Sequence, residues 1–131
     1  MSNAYSEKQL DHYLEIMDCV AELWLQKFPE RAAYSPGYWH LFMGLYKNRK
    51  HAITKGEAAE FLTAAQIKSP ATRAKVIAGA IKLGYISEQK SNVYKRANLV
   101  KMTPKLEQKM QEYLSASLQA MSEALQSINK G

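Results

Sequence analysis

A chain of 131 residues, 47% hydrophobic and 23% charged, can bury one substantial core but not two independent ones. Its single cysteine, Cys19, excludes an internal disulfide framework and suits a reducing compartment. No apolar run approaches the length of a membrane span and no signal peptide is visible, so the expected location is cytoplasmic, away from membranes; the net charge of +6 makes the placement of that charge the next question.

Tyr5 to Phe28 is predicted to be an amphipathic helix, with Leu10, Leu14, Met17, Ala21, Trp24 and Phe28 forming a heptad-like seam. Pro29 stops it. A loop through Tyr34 leads to Ser35-Pro36, an N-cap followed by proline at the first helical position. Tyr38 to Tyr46 then forms a short apolar helix, and Trp39, Phe42, Met43, Leu45 and Tyr46 are expected at the centre of the core. Lys47 to His51 is a basic turn, and Ile53 marks a short first strand. Thr54-Lys55-Gly56-Glu57 is a capping box opening a helix that buries Ala58, Phe61, Leu62 and Ala65.

A turn through Gln66-Ile67-Lys68 delivers the chain to Ser69, an N-cap with Pro70 behind it. Val76, Ile77, Ala80, Ile81 and Leu83 form the apolar arc of the following helix, which Gly84 ends as a C-cap. The opposite face carries Ala71, Lys75, Ala78, Gly79 and Lys82, with Thr72 at its border: basic, but nearly free of bulk. Such a face can approach a polyanion closely. The period then changes to two, with a strand at Tyr85 to Ser87, a polar turn at Glu88 to Asn92 and a return strand from Val93 to Met102. Thr103-Pro104 caps a last helix reaching Ile128, apolar along Leu106, Met110, Leu114, Leu118, Met121, Leu125 and Ile128.

The basic charge is not spread evenly. Residues 47–109 hold 14 Lys and Arg against four acids, Glu57, Glu60, Glu88 and Glu107, while the segments on either side are mildly acidic. This concentration fits a phosphate-binding footprint.

Ser69-Pro70-Ala71-Thr72, Leu83-Gly84-Tyr85-Ile86 and the basic hairpin ending in Val100-Lys101-Met102-Thr103-Pro104 together resemble the winged helix-turn-helix of MarR-type bacterial transcriptional regulators. The resemblance spans roughly Ile53 to Leu114. It implies a mainly helical fold with a small β-hairpin wing, the winged helix-turn-helix being flanked by N- and C-terminal dimerisation helices. The expected layout is one domain over residues 1–131, divided into 5–34, 35–103 and 104–131. Double-stranded DNA is the implied partner. Ser69, Thr72 and Lys75 would meet bases or phosphates in the major groove. Lys90, Lys95 and Arg96 would reach out from the wing, and Lys47, Arg49, Lys55 and Lys68 would add phosphate contacts.

Three features depart from the family pattern. The stretch from Glu57 to Ser69 is about one helical turn longer. Tyr94 stands where an Asp usually orients the wing arginine, here Arg96. Arg73 occupies a position that is normally small or apolar, where it can bend back to a phosphate or pair with Glu57 or Glu60.

No catalytic motif, Gly-rich phosphate loop or metal-ligand spacing is present, so neither enzymatic activity nor a cofactor is expected. His12, His40 and His51 read as ordinary histidines. Cys19 reads as a buried small hydrophobe, although some MarR-type regulators sense oxidants through a first-helix cysteine. Tyr38, Trp39 and Phe42 could line an effector pocket, but core packing explains most of that cluster. The long apolar faces of the first and last helices argue for a homodimer. Two other readings compete: a winged-helix protein-interaction module, and a phage or plasmid replication or partition protein.

Overall fold

Local capping chemistry sets most of the element boundaries in the computed structural model, which describes residues 4–30, 36–90 and 98–130. Helix α1 spans Glu7–Lys27 and opens on a capping box between Ser6 and Gln9. Helix α2 spans Pro36–Lys47; the expected cap at Ser35 lies outside the described residues. Strand β1 is Ile53–Thr54, and Thr54 and Glu57 form the expected capping box for α3, Lys55–Glu60. A 3-10 helix, Phe61–Ala65, follows directly. Helix α4 is Pro70–Lys82, with the Ser69 hydroxyl accepting the Thr72 N–H. Gly84 leaves it at φ 81, the left-handed conformation that glycine adopts without a Cβ clash. Strands β2, Ile86–Lys90, and β3, Asn98–Met102, precede α5, Pro104–Lys130.

The three strands form one antiparallel sheet in the order β1-β3-β2. Ile53 pairs with Val100, and Ile86 with Met102. The expected turn at Glu88 starts too early, because Glu88, Gln89 and Lys90 continue the ladder opposite Val100, Leu99 and Asn98. Only Ile86 of β2 is buried, so backbone pairing rather than apolar alternation defines this strand. Residues 91–97, including Lys95 and Arg96, lie outside the described residues.

The chain divides into two compact units, Glu30–Met110 and Met1–Pro29 with Gln111–Gly131. The start of α5 as far as Met110 groups with the first unit, and Leu106 and Met110 are fully buried. That unit closes around Tyr38, Leu41, Phe42, Leu45, Ile77, Tyr85 and Val100. Helix α2 thus turns Tyr38, Leu41, Phe42 and Leu45 inward at helical spacing. Trp39, expected at the centre, is instead 42% exposed, and Met43 and Tyr46 are half-buried. Phe61 and Ala65 are also only half-buried. The tighter 3-10 winding changes the phase that a continuous α-helix would have given them.

In the second unit α1 and the later part of α5 run antiparallel. Gln9 donates to the Ile128 carbonyl, Trp24 stacks edge-on against Tyr113 at 5.1 Å, and Lys27 pairs with Glu112 at 2.9 Å. Trp24, Phe28, Tyr113 and Ala124 are buried, but the seam beyond them is not. Leu14 is 56% exposed and Leu118 68%, with Leu10, Met17 and Leu125 similarly open. Cys19, expected to be buried, is exposed on α1.

Tyr85 is the densest junction of the larger unit. It is fully buried, stacks edge-on against Phe42 at 5.4 Å, and donates its hydroxyl to Glu30. Burial first, then the hydrogen bond to Glu30 and the charge of that carboxylate, raise the tyrosine pKa well above its ordinary value near 10. Folding therefore favours the neutral phenol. The associated stability is complete below about pH 10 and is lost as pH rises beyond it, at up to about 1.4 kcal/mol per pH unit. The stability advantage of wild type over Tyr85→Phe should accordingly be constant from pH 7 to 9 and shrink above pH 10. Urea melts of both proteins across that range measure it, and a constant difference would show that the hydroxyl is not held as described.

Candidate nucleic-acid interface

Helix α4 is positioned by its buried side. Ile77 and Ala80 face the core, and the Tyr85 N–H closes on the Ala80 carbonyl at 3.0 Å just past the helix end. The outward face carries Ala71, Thr72, Ala74, Lys75, Ala78 and Lys82, all exposed. Lys75 and Lys82 form no ion pair among the described residues. Small residues between long cations let the helix backbone come close to an anionic surface while ammonium groups reach past it.

Gly79 does not belong to that open face. It is half-buried, and a Cβ built on it would collide with the Tyr38 hydroxyl. Its small size admits a tyrosine from α2 rather than a nucleic acid. Burial raises the Tyr38 pKa, as expected for a phenol held against the helix.

The other expected contact residues fall into distinct classes. Lys68 and Ser69 are exposed immediately before α4, although the Ser69 hydroxyl is occupied as the cap. Lys90 is exposed at the described end of β2; Lys95 and Arg96 lie outside the described residues. Lys47 is exposed at the end of α2, while Arg49 stacks its guanidinium over the Tyr46 ring at 4.3 Å.

Lys55 is not a free cation: it pairs with Glu88 of β2 at 3.1 Å, and Glu88 also accepts from Asn98 at 2.6 Å. Arg73 donates its Nε–H to the Ile67 carbonyl at 2.6 Å and pairs with neither Glu57 nor Glu60. Among the proposed pocket residues, Tyr38 and Phe42 are buried ring against ring at 5.4 Å, and only Trp39 presents an exposed ring.

Sequence reasoning missed the Glu30–Tyr85 and Lys55–Glu88 contacts, which join residues distant in sequence through the fold, and the Arg73–Ile67 bond, which depends on the turn just before α4. Tyr38–Gly79 did leave a signal. A glycine inside a helix costs about 1 kcal/mol against alanine, so its presence points to a close approach.

The described residues contain no group of His, Cys, Asp and Glu able to hold a metal, and no helix long and apolar enough to cross a membrane. No family model and no curated protein matches the chain by sequence. Similar folds do occur among solved structures. An S. aureus MepR–DNA complex aligns at TM-score 0.69 and 14% identity, over 90% of this chain and 88% of that one. NadR in complex with 4-hydroxyphenylacetate aligns at TM-score 0.59 and 14% identity, over 98% and 84%. A MarR-like transcription regulator structure from Bacillus cereus aligns at TM-score 0.56 and 15% identity, over 88% and 75%. The fold is that of the MarR-like winged-helix structures.

The Tyr38–Gly79 contact gives a direct test of how α4 is held. Gly79→Ala should destabilise the wild type because the new methyl meets the hydroxyl. In a Tyr38→Phe background the same substitution should be neutral, or stabilising by up to about 1 kcal/mol, since only helix propensity remains. Chemical denaturation of the four proteins measures the coupling, and additive effects would exclude the contact.

Proposed function

We propose that this protein is a sequence-specific double-stranded DNA-binding regulator of transcription, of MarR type, acting as a homodimer. The observation that carries the reading is the α4 face: small residues interleaved with unpaired Lys75 and Lys82, exposed within the most basic segment of the chain. In this reading Thr72 and Lys75 read base edges from the major groove, whereas Lys68, Lys82 and Lys90 hold phosphates. Lys95 and Arg96, outside the described residues, are assigned the same phosphate-holding role from sequence alone. The fold likeness to MepR, solved with DNA, supports this assignment. The likeness to NadR, solved with 4-hydroxyphenylacetate, supports a small-molecule effector, and Trp39 is the exposed aromatic such a ligand could meet.

Affinity for duplex DNA should fall steeply with salt as condensed counterions are released. Lys75→Ala should flatten the preference between a selected site and random duplex by about 1–3 kcal/mol. Lys90→Ala should weaken all duplexes alike and lower the salt slope by about one. Binding-site selection followed by salt titrations checks both, and identical effects of the two substitutions would overturn the division into reader and anchor.

The homodimer follows from the open seam. Leaving Leu10, Leu14, Met17, Leu118 and Leu125 in water forfeits about 25 cal/mol per Å² of apolar surface, which a second copy recovers by covering them. Two-fold symmetry would also supply two copies of α4 for half-sites about one DNA turn apart. Sedimentation equilibrium at micromolar protein should give twice the 14.8 kDa chain mass. Leu14→Glu with Leu118→Glu should return the protein to monomers, and a wild-type monomer with undiminished DNA affinity would defeat the dimer.

A further inference from the structure

The cleft between α3 and α4 is lined by Lys55, Gly56, Ala59, Pro70, Arg73, Ala74 and Ile77 and has a volume of about 280 Å³. Its floor is apolar, and its two cations differ in state. Lys55 is already neutralised by Glu88. Arg73 is half-buried, its Nε–H is fixed on the Ile67 carbonyl, and no carboxylate among the described residues pairs with it. The nearest acids on α3 do not answer it: Glu57 is engaged in the Thr54 cap, and Glu60 faces outward. A guanidinium held by its Nε–H, with no partner on its terminal nitrogens among the described residues, beside a cleft of small and apolar side chains is pre-organised for a tetrahedral oxyanion, which it can bind through parallel N–H donors.

The geometry points to a seat for a single phosphate group in the α3–α4 cleft, held by Arg73. Ala59, Ala74 and Gly56 leave the room, and the anchored Nε–H keeps the guanidinium from following the anion into solvent. Phosphodiesters of a DNA backbone and free phosphate compounds share this chemistry. The DNA source rests on the function proposed above; the seat itself does not.

The test titrates inorganic phosphate into the full isotope-labelled chain at constant ionic strength and follows the backbone amide spectrum. Saturable shifts confined to residues 55–59 and 70–77 are expected. Arg73→Gln should abolish them. Because that change also removes the Ile67 hydrogen bond, Ala74→Glu serves as the second variant: it sets a negative charge in the cleft, leaves the anchor intact and should weaken phosphate about tenfold. Shifts scattered over all the lysines, or unchanged by Ala74→Glu, would overturn the seat.

Duplex DNA is then added to the phosphate-loaded protein. Displacement of phosphate, with a salt slope lowered by about one in Arg73→Gln, assigns the seat to the DNA backbone. DNA binding that leaves phosphate in place assigns it to a free phosphate compound. A wild type that takes phosphate in the cleft but binds no duplex would sink the DNA-binding reading and leave the seat standing.

Discussion

The junction just beyond α4 is the constraint on which the larger unit depends. Gly84 turns the chain at positive φ, and Tyr85 closes on Ala80 behind it. Thr103, at the start of α5, binds this turn twice: its N–H reaches the Tyr85 carbonyl at 3.0 Å and its hydroxyl the Gly84 carbonyl at 2.6 Å. Lys105 adds a bond to the Leu83 carbonyl at 3.0 Å, with its ammonium 4.7 Å from the Tyr85 ring centre. The Gly79, Ala80 and Ile81 carbonyls of the helix end are closed by the Leu83, Tyr85 and Gly84 N–H groups, and the opening of the next long helix takes up the Leu83, Gly84 and Tyr85 carbonyls just beyond them. That closure fixes the C-terminal end of α4, while the buried Ile77 and Ala80 fix its inward face.

The same junction contains a polar weakness. Glu30 accepts the Tyr85 hydroxyl with one carboxylate oxygen, while its other oxygen is buried without a partner among the described residues. A buried acceptor left unpaired costs about 1–3 kcal/mol. The bond from the Tyr85 hydroxyl ties residue 30 to the chain just past α4.

How much of this was legible from sequence depends on the range of the interaction. The caps at Thr54 and Ser69 and the turn at Gly84 are local, so side chain and backbone partner lie within a few residues and the pattern shows them. The winged architecture was legible only through the resemblance that Ser69–Thr72, Leu83–Ile86 and Val100–Pro104 bear to MarR-type regulators; the caps and the change of period are consistent with it but do not specify it. The inward face of α2 was not. Nearly every position from Tyr38 to Tyr46 is apolar or small, and a helix apolar all round carries little phase information, so Trp39 and Leu41 could not be ranked. The exposed lysines of α4 could be placed by the wheel, but Lys55 could not, because its state is set by Glu88, 33 residues away.

Lys55 and Arg73 show why a charge count does not by itself define an anion-binding surface. Both lie in the basic segment and border one cleft, yet Glu88 cancels the first and a neutral carbonyl merely orients the second. The acid is not misplaced. Through Asn98 and Lys55 it joins β2 to β3 and to the start of α3, so it spends one cation on fixing the base of the wing. The cost falls on local field strength, because an exchange of Lys55 from Glu88 to a phosphate gains less than the capture of a phosphate by an uncommitted cation. Among the described residues Lys75 and Lys82 on α4 and Arg73 in the cleft have no acidic partner, and neither do Lys68 and Lys90. The exposed α4 face thus presents cations without acidic partners among the described residues, beside a base that the Lys55–Glu88 pair already holds together.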